Sequence, residues 1–239
     1  MNHQADQPCT ICVYPLPALA EPAMLRGTAA VVIDVLRATT VITYATHSGL
    51  REFIPVLEIA EAQQLKKSYP PEKVILGGER FGLPIDGFDL GNSPQHYTPE
   101  RVSGKTLILT TTNGTVAMHA AKPARFITIA SFLNAKAVVD HLQNEENIAI
   151  LCAGTNGKES EEDLLLAGCL TVRLMTHKKC QLNETAKRVA QLWHEPVNAA
   201  ELESMLRETT GGRAVLRLGL EPDLTASAQI DTVDVVPQL

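Results

Sequence analysis

Short, continuous runs of Val, Ile and Leu recur along the chain: AAVVIDVL (29–36), FIPVL (53–57), KVILG (73–77), TLILTT (106–111), RFITIA (125–130) and NIAILCA (147–153). Runs of this length without polar alternation fit strands that are covered on both faces, as in a parallel sheet. Amphipathic stretches of helical length lie between them, such as EIAEAQQLKKS (58–68) and LNAKAVVDHLQNE (133–145). Strand starts about 20–30 residues apart match βαβ units, with a longer excursion over 78–104. From Ser160 the pattern turns helical through SEEDLLLAGCLTVRLMTH, NETAKRVAQLWHE and AAELESMLRETTG, and DTVDVVP (231–237) reads as a last strand. The pattern predicts an α/β fold: three layers, a mostly parallel sheet with helices on both faces, and a helical C-terminal part. Residues 1–239 form one domain, or two closely packed α/β lobes.

Composition narrows the function. Of 239 residues, 45% are apolar, 20% charged and 4% aromatic, and the net charge is -6. That apolar share excludes a disordered chain. The acidic balance and scarce aromatics argue against nucleic-acid binding, which needs a basic surface or a stacking platform. Five cysteines, an odd number, read as reduced thiols rather than a disulfide framework. Cys9 and Cys12 form a lone C-x-x-C, placed before the first strand and read as two ordinary cysteines. No apolar run reaches the roughly 18 residues of a membrane span, and MNHQADQPCT lacks the pattern of a signal peptide. The expectation is a cytoplasmic protein with no membrane or nucleic-acid partner, and a homodimer by the commonest symmetry of soluble enzymes.

In open parallel sheets, ligands bind beyond the carboxyl ends of the strands. Four such ends are unusually polar. In IDVLRATT, Asp34 sits within an apolar run, followed by Arg37 and by Thr39 and Thr40. A buried carboxylate requires a cation or a metal, while the arginine suits an anion. In GGERFG, Glu79 and Arg80 lie among glycines that allow close backbone approach, and the loop beyond adds Asp86, Asp89, Asn92 and Ser93. TTTNGT (110–115) runs from strand into helix with hydroxyls and a glycine turn suited to phosphate. CAGTNGKESEED (152–163) leads into a helix opening on Ser160, Glu161, Glu162 and Asp163; these acids serve either as helix-dipole partners or as oxygen ligands for Mg²⁺.

Other phosphate chemistries fail on spacing. A P-loop would need Ser or Thr after Lys158, where Glu159 stands. A cysteine phosphatase would need arginine six residues after Cys152, where Lys158 stands. A haloacid-dehalogenase-type nucleophile pair would need a second Asp where Leu36 stands. G-x-S-x-G and paired-histidine zinc signatures are absent.

The stretches VVIDVLRATT, GGERFGLPIDGFDLGNSP, GKTLILTTTNGT and LCAGTNGKESEEDLLLAG, in this order within residues 31–168, resemble the 2-phosphosulfolactate phosphatase family, the ComB-like proteins. The C-terminal LRLGLEPDLTASAQIDTVDVVP is a weaker match. The resemblance implies an α/β fold, Mg²⁺ as cofactor, and hydrolysis of (R)-2-phospho-3-sulfolactate to 3-sulfolactate and phosphate, a step of coenzyme M synthesis. A substrate bearing phosphate, sulfonate and carboxylate calls for a metal and arginines. Mg²⁺ is then expected on Asp34, Glu79 and Asp163, with Glu162 or Asp89 as substitutes. Thr111, Thr112, Asn113, Gly114 and Thr115 would cradle the phosphate, with Thr39 and Thr40 beside them. Arg37 and Arg80 would clamp the sulfonate or carboxylate or stabilise the phosphoryl group, and Arg213 is a third candidate. Asp34, Arg37, Arg80, Thr112 and Asn113 form the expected catalytic set. Two competitors use the same residues: a phosphatase of another small 2-hydroxy-acid phosphate such as phospholactate, and a non-catalytic anion-binding protein. The second has no use for acids that repel its ligand. In the C-terminal helices, Leu202, Met205 and Leu206 face the core or a second subunit, and Trp193 packs.

Overall fold

A computed structural model describes residues 9–196 and 198–239. The chain runs through β1 (Cys9–Tyr14), α1 (Pro22–Leu25), β2 (Ala29–Ile33), α2 (Ala38–His47), β3 (Glu52–Pro55), α3 (Ile59–Lys66), β4 (Val74–Arg80) and β5 (Leu83–Pro84). It continues through α4 (Pro99–Val102), β6 (Thr106–Thr110), α5 (Gly114–Ala120), β7 (Phe126–Ala130), α6 (Ala135–Leu142) and β8 (Asn147–Cys152). It ends with α7 (Glu161–His177), β9 (Cys180–Leu182), α8 (Glu184–Leu192), α9 (Ala199–Glu208), α10 (Thr210–Arg217) and α11 (Glu221–Ser227).

The mixed α/β architecture with mostly parallel strands is as expected, but the strands divide between two sheets. One is wholly parallel in the order β7-β2-β8-β1-β9; the other runs β3-β6-β4-β5, with β5 antiparallel to β4. Side chains alternate along β2 in the way this demands. Ala29, Val31 and Ile33 face a core built with α6, α7, α8 and the C-terminal helices. Ala30 and Val32 face a second core that also takes in Leu107 and Leu109 of β6, Val41 and Ile42 of α2, and Met118 of α5. Helices α2 and α5 therefore lie between the sheets. Val74, Leu76 and Ile108 on the far face of the second sheet pack under α3 through Ala62. The first sheet keeps its three layers, and the second sheet adds two more.

Two local expectations are corrected. Cys9 and Cys12 lie on β1 rather than before the first strand. Residues 231–237 form no strand, and the chain there pairs with β7 only through a single bridge, Thr128 with Gln238. Trp193 packs as expected, stacked 5.8 Å from Phe132, with Nε1 donating to Glu195. Among the described residues no helix is long and apolar enough to cross a membrane.

Candidate active site

The crossings from β2 through α2 to the second sheet, and from β6 through α5 back to the first, bring the carboxyl ends of β2, β4, β6 and β8 together. They surround a cavity of about 300 Å³. Asp34, Arg37, Glu79, Asn92, Thr112, Asn113, Thr155 and Asn156 give it polar walls, while Leu36, Phe81, Ala214, Val215 and Leu218 form an apolar side. A wider groove of about 710 Å³ lies elsewhere, between α2, α9 and α11, and holds none of these strand-end residues.

Asp34 follows β2 directly. Its Oδ1 accepts from the Ala38 amide at 3.3 Å, and its backbone is pinned by Thr39, whose hydroxyl donates to Asp34 O and accepts from Asp34 N. Burial, opposed by that amide bond and reinforced by Glu79 and Glu162, pushes the Asp34 carboxyl up to about 7. Gly114 makes the approach of α5 possible: a Cβ there would lie 2.6 Å from Asp34 Oδ2 and from Ala38 Cβ.

Glu79 is also buried, and its carboxylate is filled by donors. Oε1 accepts from Thr112 N at 2.7 Å, and Oε2 accepts from Gly82 N at 2.7 Å and from the Thr112 hydroxyl. Asp163 does similar work between strands. Its Oδ1 accepts from Val35 N beyond β2 and its Oδ2 from Gly154 N beyond β8. It does not cap its own helix, and Ser160 makes no side-chain cap bond. Burial, then Asp34 and Glu162, holds the Asp163 carboxyl well above the usual range. Its neighbour Glu162 differs: it is 2% exposed, and Oε2 has no hydrogen-bond partner among the described residues. Its carboxylate lies against Gly211, where a Cβ would collide with it.

The arginines separate. Arg37 lines the cavity, its Nη1 donating to Asp223 at 2.6 Å and to Ser93 at 3.4 Å, and its Nη2 to the Gly82 carbonyl at 2.6 Å. Arg80, one position beyond Glu79, leaves the opposite face of β4 and donates to the Glu79 and Leu57 carbonyls and the Thr110 hydroxyl. Arg213 is half exposed and turns to the Glu208 carbonyl. Neither lines the cavity. Asp89 lies away from it too, accepting from Leu76 N and Lys66.

Of the threonines, Thr39 and Thr40 bond the turn after β2, Thr40 donating to Val35 O. Thr111 and Thr115 cap α5 reciprocally, each hydroxyl accepting from the other's amide. Thr112 and Asn113 reach the cavity, and Asn113 Oδ1 accepts from Asn156 N at 3.4 Å. Burial, with Asp163 and Glu159 next, pushes the Cys152 thiol well up, so it supplies no thiolate.

Sequence reasoning passed over Asp223, Phe81 and the α10 residues that line the cavity, Gly211, Ala214 and Val215. Asp223 stands in the first turn of α11, where an acid is an ordinary dipole partner, so nothing local marks it. Phe81 is 89% exposed and lies beside glycines in GGERFG, a place where an exposed aromatic was the available signal.

The donor set suits a hard divalent cation. Asp34 and the unpartnered Glu162 offer oxygens, while Glu79 and Asp163 have theirs committed to backbone amides. Among the described residues no three or more His, Cys, Asp or Glu side chains, the expected Asp34, Glu79 and Asp163 included, come together as a group that could hold a metal ion. An open site of one or two carboxylates, completed by water and phosphate oxygens, is the usual manner of Mg²⁺.

A two-sheet α/β chain with a small acidic cavity at its strand ends is built as an enzyme acting on a compact anion. Residues 14–239 match the family model described as 2-phosphosulpholactate phosphatase, and the chain belongs to that family of phosphoric monoester hydrolases. Among its relatives, a probable 2-phosphosulfolactate phosphatase of Clostridium perfringens is 39% identical over 215 residues, 89% of this chain and 86% of the relative. Probable 2-phosphosulfolactate phosphatases of Thermotoga petrophila and Thermotoga maritima are each 42% identical over 210 residues, 88% of both chains.

Proposed function

We propose that the protein hydrolyses the phosphate ester of 2-phospho-3-sulfolactate to 3-sulfolactate and phosphate with the help of Mg²⁺. The observation that carries this is the meeting of Asp34 and the buried Arg37 around one small cavity, with the unpartnered Glu162 carboxylate buried directly behind Gly211 of its wall. Asp34 and Glu162 would hold the ion, which when bound neutralises phosphoryl charge and lowers the pKa of bound water. Arg37 binds phosphoryl oxygens through the donors it has left, and the Asn113 amide adds a donor beside it. Asp163 and Glu79 hold the four strand ends in register around the substrate. Leu36, Val215 and Leu218 exclude water from one side. Placement in coenzyme M synthesis, in the cytoplasm and as a homodimer belongs to the same proposal; light scattering at working concentration reads the last.

A second reading is favoured by the charge of the cavity. Arg37 is the single cationic side chain lining it among the described residues, and one wall is apolar. That suits a less anionic ester such as phospholactate. Phosphate release from racemic phosphosulfolactate and phospholactate, each with Mg²⁺ and with EDTA, separates the readings. Mg²⁺-dependent release favouring the sulfonate supports the first. Preference for phospholactate replaces the substrate, and no release from either removes the enzyme.

A further inference from the structure

Arg37 takes its three partners from distant parts of the chain. Gly82 lies 45 residues away in the turn between β4 and β5, Ser93 lies 56 away in the loop beyond, and Asp223 lies 186 away in α11. Asp223 is fully buried and Arg37 is 4% exposed. The acid is engaged on one side only. Its Oδ2 accepts from Arg37 at 2.6 Å and from Ser93 at 3.0 Å, whereas Oδ1 has no partner among the described residues. A carboxylate serving only to tie a helix down would have both oxygens met by donors; this one is aimed at the guanidinium. We propose that Asp223 is a positioning residue that fixes Arg37 at the cavity and offsets its charge, so that phosphate is gripped during reaction yet released afterwards. Two physical reasons support this. A guanidinium held by three acceptors keeps the orientation of its remaining donors. A buried arginine still held in place but relieved of its acid's charge would bind an anion far more tightly, because its field would be uncompensated in a poorly screened cavity.

The inference rests on the phosphatase reading for its kinetic consequence, but its geometry can be tested without turnover. Binding of inorganic phosphate to the full chain would be measured by calorimetry for the wild type, Asp223→Asn and Asp223→Ala. Kinetics with the better substrate would be measured alongside, well below each melting temperature. Asp223→Asn keeps an acceptor for Arg37 and loses the charge. It should bind phosphate at least tenfold more tightly and lower KM and kcat together, as product leaves more slowly. Asp223→Ala frees the guanidinium and should lower kcat/KM by a hundredfold or more without tightening phosphate. Wild-type phosphate affinity, kcat and KM in Asp223→Asn, with only a lowered melting temperature, would overturn the proposal and leave a structural tie. If Asp223→Ala fails to fold, the near-isosteric Asn variant decides alone. A wild type that turns over neither ester, combined with tighter phosphate binding in Asp223→Asn, would sink the activity and keep the positioning role.

Discussion

Glu162 and Asp163 are neighbours in sequence, yet their carboxylates do different work. Asp163 accepts from the amides of Val35 and Gly154, so Asp163→Asn must turn an NH2 toward one of them. A buried donor left facing a donor costs about 1–3 kcal/mol, and the expected outcome is a lower melting temperature with little change in Mg²⁺ affinity. Glu162→Gln should do the reverse, leaving the melt unchanged and weakening Mg²⁺ binding tenfold or more by titration calorimetry. Asp34→Asn keeps the acceptor for Ala38 while removing a buried charge, so turnover should vanish and the metal-free melt should stay at or above the wild type. Gly114→Ala would place a methyl 2.6 Å from Asp34 Oδ2. Overpacking of this kind costs about 1–3 kcal/mol, and both melting temperature and kcat/KM should fall. Asp34 also sets a pH dependence. In the folded chain it keeps its proton up to about 7, against an ordinary value of 3.8. Between those values the folded state binds more protons, so stability is full below about pH 4 and falls as pH rises toward 7. A metal-free melting series from pH 5 to 8 should descend, and saturating Mg²⁺ should flatten it, because the ion takes the proton's place.

At the scale of elements, the turn joining β4 to β5 is the least comfortable piece of backbone around the cavity. Phe81 and Gly82 are its two central residues, at φ 55° and 80°, between the paired Arg80 and Leu83. A two-residue hairpin with both φ positive favours Asn-Gly, and an aromatic at the first position is disfavoured. Phe81 buries almost nothing in exchange and stands at the cavity mouth near Leu218. Phe81→Asn should raise the melting temperature by relieving the backbone, and raise KM severalfold if the ring covers bound substrate; thermal melts and steady-state kinetics read the two effects. The same segment shows where sequence reading stops. GGERFG announces a polar strand end, and Glu79 does reach the cavity. Because β4 continues through Arg80, strand alternation sends the next side chain to the other face, a result that depends on where pairing with β5 begins.

At the scale of the whole molecule, the apolar runs announced β2, β4, β6, β7 and β8 because each is buried enough to need no polar alternation, and β3 by its apolar residues although only Phe53 of it is buried. β1 carries Thr10 and Cys12 at half-buried positions and offers a weaker pattern, and β9 is three residues long. The partition into two sheets was not legible, since a βαβ pattern gives the succession of strands and not which of them pair. The cavity was legible as a set of strand ends. Its closure by α10 and the anchoring of Arg37 from α11 were not, because Gly211 and Asp223 look like ordinary helix-start residues until the chain is folded.

The C-terminal segment bears on handling the protein as well as on its fold. Ile129 N donates to the Pro237 carbonyl, Leu239 N to the Ile127 carbonyl, and Asn134 Nδ2 to the Val235 carbonyl. These last residues occupy backbone groups on the free side of β7 that would otherwise be open to another strand. An unprotected sheet margin is a template for edge-to-edge aggregation. A chain shortened before Pro237 should therefore keep its cavity but lose solubility at high concentration, and a fusion partner is better attached at the other end.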